Sequence, residues 1–171
     1  MEKKQILEIW NNFGYIMNKL PSPGVLAVTG NNSDKENIIT LGWMTFGYLW
    51  NEVVVSILVR PTRYSYSLLQ KYPEFTLNIL SDKYKKAIDF CGSKSGSFCD
   101  KFSETNLTKL KSKEISVSSI AESDLVLECK LVQTNKLDRG TLSDLYRAKF
   151  YTDGNYHDIF TGVILRVNKN Q

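Results

Sequence analysis

Two arginines and three hydroxyl-bearing residues crowd into one short run, Arg60-Pro61-Thr62-Arg63-Tyr64-Ser65. The β-branched segment Val53-Val54-Val55-Ser56-Ile57-Leu58-Val59 delivers them, and a helical period begins after Pro61. A phosphate group asks for that set: planar guanidinium donors, hydroxyls, and the free N–H groups at the positive end of a helix. The same residues also suit an exposed strand end whose arginines lie over apolar surface. A second run is Cys91-Gly92-Ser93-Lys94-Ser95-Gly96, followed by Asp100-Lys101-Phe102. Its glycines let backbone N–H groups approach a ligand; read alone, it is an ordinary surface loop. A third, from Asn37 through Thr40, Leu41, Gly42 and Trp43 to Thr45, offers a Trp and hydroxyls along a strand. These suit the wall of a planar ring, or simply a half-buried strand.

Other chemistries are excluded cheaply. His157 is the single histidine, which rules out a multi-histidine metal site. No GxGxxG, GxxxxGK[ST] or GxSxG motif occurs. Cys91, Cys99 and Cys129 are odd in number and form no CxxC, which argues against a disulfide framework. The net charge of +4 is spread over lysine clusters such as 83–86 and 109–113, which read as solvated faces. A nucleic-acid partner would need a denser basic stripe with interleaved aromatics. No run approaches the roughly 18 apolar residues that span a bilayer, and the start of the chain lacks a signal core. A cytoplasmic protein, without a membrane or nucleic-acid partner, is the expectation.

The elements that must position these runs follow from period and punctuation. The 171 residues suit one domain. Ile6, Ile9, Trp10, Phe13, Ile16, Met17 and Leu20 share a helix face, with Gly14 predicted to end regular helix near residue 13. Strands are expected at 25–29, 37–45, 52–59, 75–80, 125–134, 147–151 and 159–167. Short helices are expected at 62–71, capped by Thr62, and at 84–91, closed by Gly92. About seven strands with short connections and three or four helices give a mainly antiparallel β-barrel with peripheral helices.

Taken together and in order, these segments resemble the flavin reductase-like FMN-binding family, in particular its flavoredoxin branch. The resemblance rests on Pro23-Gly24-Val25-Leu26, Asn37-Ile38-Ile39-Thr40 with Gly42-Trp43, and Arg60 to Ser65. It continues through Phe75-Thr76-Leu77-Asn78, Asp89 to Gly96 with Asp100-Lys101-Phe102, Leu127 to Lys130, and His157 to Gly162. Residues 135–156 look like an insertion. The resemblance implies an FMN-binding split β-barrel over 21–171, preceded by a helical extension at 1–20. It implies a homodimer with FMN near the subunit interface, and electron or hydride transfer from NAD(P)H to a flavin or other small acceptor. An FMN-binding redox carrier without its own reductase activity is the alternative. By position, Arg63, Tyr64 and Ser65 would meet the phosphate, with Arg60 nearby. Thr40, Leu41, Gly42 and Trp43 would flank the isoalloxazine, with Asn37 at its edge. Ser93, Lys94, Ser95 and Gly96 would close over the cofactor, with Lys101 as a charge partner and His157 at the redox face.

Overall fold

A computed structural model describes residues 3–169. The chain opens with helix α1 (Lys3–Lys19), then strands β1 (Val25–Gly30), β2 (Glu36–Leu41), β3 (Met44–Leu49) and β4 (Glu52–Val59). Helix α2 (Tyr64–Lys71) and β5 (Glu74–Ile79) follow, then a 3-10 turn at Asp82–Tyr84, α3 (Lys85–Ser93) and α4 (Lys101–Thr105). The rest is β6 (Lys109–Leu110), β7 (Ser119–Ile120), β8 (Leu125–Lys136), α5 (Asp144–Phe150) and β9 (Asp158–Lys169).

The main sheet is antiparallel throughout, in the order β2-β1-β5-β8-β9-β4-β3. Strands β2 and β3 are joined only by Gly42-Trp43, yet they form its opposite edges. A two-residue link cannot span a flat seven-stranded sheet, since strands stand about 4.8 Å apart. The sheet must therefore curl until its edges meet, which makes an open barrel with its split at residues 41–44. The expected single strand over 37–45 is thus two strands, because the bend at Gly42-Trp43 lets β2 pair with β1 and β3 pair with β4.

The core follows from the pleat. In β1, Val25 and Ala27 face the barrel interior, whereas Leu26 and Val28 face Ile88, Cys91 and Phe102 of α3 and α4. Both faces of this strand are covered, so every residue of it is buried. Phe75, Leu77, Ile57 and Phe160 fill the barrel interior. There Gly162 of β9 lies against Phe75: a Cβ at 162 would stand 2.8 Å from the ring. Gly162→Ala is expected to cost about 1–3 kcal/mol by overpacking. The measurement is a fall in denaturant midpoint with an unchanged slope.

Several expected elements are corrected. Helix α1 runs to Lys19, beyond the expected stop at residue 13, because Ile9, Ile16 and Leu20 are buried against the barrel. Tertiary burial outweighs the Gly14 penalty, and Trp10 and Phe13 lie on the exposed margin, 44% and 38% accessible. Residues 147–151, read as a strand, belong to α5 and its C-terminal end. Gly92 does not close α3, which continues to Ser93 with Lys94 as its C-cap. Arg63, not Thr62, occupies the cap of α2, and the Thr62 hydroxyl instead accepts a 2.9 Å bond from Asn155 Nδ2.

Candidate functional site

The seam of the barrel opens into a cleft of about 440 Å³, within the usual range for small-ligand sites. Three segments converge on it. The end of β2 with Gly42-Trp43 forms one wall, the exit of β4 into α2 a second, and the loop after α3 a third. The structure brings all the sequence-selected residues to this lining: Asn37 and Thr40 to Trp43, Arg60, Arg63 to Ser65, Ser93 to Gly96, Lys101 and His157. Ile39, Leu58, Val59, Thr62, Cys91 and Gly92 also line it. Leu58 and Val59 were legible in principle, because a strand that delivers Arg60 to a cleft must bring its last residues there too.

One end has the chemistry that an anion asks for. Arg63 sits at the N-cap of α2 in extended conformation (φ −83°, ψ 137°), and no side chain caps this helix. The first N–H groups of an α-helix lack intrahelical partners, and the helix dipole adds positive potential there. Among the described residues the exposed Arg63 guanidinium makes no ion pair. Ser65 is buried, and its hydroxyl accepts a 2.8 Å bond from Asn37 Nδ2. Facing them, Gly96 packs so closely that a Cβ would lie 1.9 Å from Asn37 Oδ1. Only glycine lets the Ser93–Gly96 loop approach this closely.

Lys101 has a narrower part than a free cation. It is 4% exposed, and its ammonium donates 2.6 Å bonds to Ile38 O and Cys91 O. It thereby ties β2 to α3, the elements that carry two of the three walls. Burial, and more weakly the Arg63 charge, push its pKa down. Arg60 is likewise engaged. It pairs with Asp153 at 3.2 Å, donates to Phe150 O at 3.2 Å, and lies 5.7 Å over the Tyr151 ring. It anchors the excursion between β8 and β9, leaving Arg63 as the arginine open to a ligand.

The other end is aromatic. Trp43 remains 39% exposed, with His157 at 4.8 Å and Phe150 at 5.3 Å between ring centroids. Desolvation, then the Arg60 and Arg63 charges, lower the His157 pKa to about 4. The imidazole is neutral at physiological pH. The folded value lies below the ordinary 6.5, so between pH 6.5 and about 4 the unfolded chain binds a proton that the folded chain does not. Stability is therefore lost as pH falls through that window. In His157→Gln the acid-induced drop in thermal midpoint over this range should be smaller than in wild type.

A curled antiparallel sheet with a cleft and an aromatic wall at its seam defines a split-barrel protein with a candidate small-molecule site. Residues 17–171 match the model described as the flavin reductase like domain, and the chain belongs to that family. Its fold is similar to flavoredoxin of Desulfovibrio vulgaris (Miyazaki F), with TM-score 0.69, 21% identity, and coverage of 87% of this chain and 70% of that one. It is also similar to an FMN-binding protein of Thermus thermophilus with bound 1-cyclohex-2-enone (TM-score 0.64, 21% identity, 86% and 71% covered). A third similar structure is an NADH:FAD oxidoreductase of Streptomyces globisporus (TM-score 0.65, 20% identity, 86% and 75% covered). Among the described residues no helix is long and apolar enough to cross a membrane.

Proposed function

We propose that this chain binds FMN in the seam cleft and is an oxidoreductase passing hydride or electrons from NAD(P)H to a flavin or another small acceptor. The observation that carries the reading is the anion cradle: an Arg63 without an ion pair among the described residues, at an uncapped helix start, near a loop whose Gly96 touches Asn37. The residues fit the cofactor. The phosphate would meet Arg63, Tyr64, Ser65 and the first N–H groups of α2, with the Ser93–Gly96 loop across from them. The flat ring would lie along Thr40 to Trp43, toward His157. Bound flavin supplies two-electron chemistry; the protein supplies position and field. Arg63 offsets phosphate charge, Lys101 holds the two walls in register, and neutral His157 adds a hydrogen-bond donor without adding charge.

The partner is expected to be a second copy of the chain. Exposed Trp10 on α1, Tyr48 and Leu49 at the end of β3, and Trp50 in the β3–β4 turn supply apolar surface of the kind that oligomers cover. Mass measurement in solution checks this, and a monomer at micromolar concentration counts against it.

The activity is tested by adding NADH or NADPH anaerobically to the protein with FMN and following flavin absorbance. Bleaching at a rate above that of free FMN supports the reductase. Tight FMN binding without bleaching by either donor leaves a redox carrier instead.

A further inference from the structure

We propose that Tyr151 is a positioning residue: its phenol holds His157 as the tautomer protonated at Nε2. This end of the cleft then donates a hydrogen bond to the carbonyl oxygen of a flat substrate beside Trp43. The substrate part of the proposal rests on the flavin reading above; the tautomer does not.

The Tyr151 hydroxyl and His157 Nδ1 are 2.9 Å apart. Tyr151 is 6% exposed, and burial pushes its phenol pKa up from an ordinary value that already leaves it protonated at neutral pH. A phenol has one proton to donate, and a buried O–H left without an acceptor costs about 1–3 kcal/mol. Among the described residues His157 Nδ1 is the acceptor within reach of that hydroxyl. If the imidazole donated through Nδ1 instead, the phenol proton would face no protein acceptor among the described residues. The tyrosine therefore donates, Nδ1 accepts, and the neutral ring carries its proton on Nε2.

The tyrosine ring is itself held by two neighbours. Its ring stacks on Tyr156 at 4.6 Å and 11°. The Arg60 guanidinium lies over it, while the same arginine grips Phe150 O and Asp153 on either side in sequence. Asn155 adds a bond to Thr62. The 137–157 excursion is thus fastened to the β4–α2 exit, and within it the Tyr151 hydroxyl meets His157 Nδ1.

A neutral imidazole N–H beside an indole suits an uncharged carbonyl on a planar ring. Two sources share that chemistry, the carboxamide of a reduced nicotinamide and the carbonyl of an acceptor such as a quinone.

His157 is the single histidine, so its imidazole nitrogens are unambiguous in a ¹⁵N-histidine-labelled sample. In flavin-free wild-type protein, Nε2 protonated and Nδ1 bare from pH 8 to 5 is the expected result; a dominant Nδ1–H tautomer overturns the proposal. Tyr151→Phe retains the ring stacking and should give a mixed tautomer; an unchanged preference also overturns it. The wild-type spectrum decides even if the variant fails to fold. With FMN bound, Tyr151→Phe should slow one half-reaction about tenfold without changing FMN affinity, the scale of one hydrogen bond. Slowed reduction by NADH assigns the carbonyl to the donor, and slowed reoxidation by benzoquinone assigns it to the acceptor. Wild-type rates in both halves refute the substrate part. A wild-type protein that binds no FMN removes the flavin reading and leaves the tautomer result standing.

Discussion

Replacing Arg63 by alanine is expected to weaken FMN binding by about 10- to 100-fold, the scale of about 1.5–3 kcal/mol for a charge-assisted contact. The guanidinium has no ion-pair partner to lose among the described residues, so the fold should be little disturbed. Its position at the cap of α2 aims the loss at the phosphate. Arg63→Lys should recover only part of it, because an ammonium lacks the planar fork. The control is Arg60→Ala. It should cost stability through the contacts with Asp153 and Phe150, and FMN affinity only secondarily. Titration followed by flavin fluorescence reads both variants. A larger affinity loss in Arg60→Ala than in Arg63→Ala would reverse the assignment.

Gly96→Ala should be comparably severe for a different reason. The added methyl would overlap the Asn37 amide, 1.9 Å from its oxygen and 2.5 Å from its carbon. Asn37 is 5% exposed and bonded to Ser65, so its amide has little room to swing aside. Either the loop lifts off the cradle or the Asn37–Ser65 bond breaks. Both outcomes spoil the anion site, and FMN affinity should fall at least about tenfold, while the thermal midpoint falls by only a few degrees, since overpacking here affects a loop rather than the barrel interior. Normal FMN affinity in this variant would mean that the loop does not close on the cofactor.

The antiparallel barrel and the residues lining its cleft were both legible in the sequence; the contacts that shape them were less so. Arg63, Tyr64 and Ser65 were legible because a β-branched strand, a proline and a helical period fix where a strand end meets a helix start. The Ser93–Gly96 loop was legible as glycine and hydroxyl chemistry, but the contact between Gly96 and Asn37 joins residues distant in sequence. No local pattern reports such a contact. The bend at Gly42-Trp43 was hidden because 37–45 reads as one continuous strand, and only the pairing of β2 and β3 with different neighbours breaks it. Residues 146–150 show why Tyr151 escaped notice. Tyr146, Ala148 and Phe150 alternate as a strand would, yet Tyr146 and Phe150 meet at 5.9 Å as i and i+4 on a helix. With that helix misread, Tyr151 had no reason to point at His157. Lys101 was legible as a cation near the loop, whereas its carbonyl clamp depends on burial that sequence does not display.

The central claim is that the cradle at the start of α2 recognises a flavin's phosphate, and comparing FMN with riboflavin tests it most directly. The two ligands share the isoalloxazine ring and differ in the phosphate that Arg63 and the α2 N–H groups would hold. Side-by-side titrations of wild-type protein should show FMN binding at least about tenfold more tightly than riboflavin, in line with one or more charge-assisted contacts. Equal affinities for the two, or no binding of either, would contradict the account.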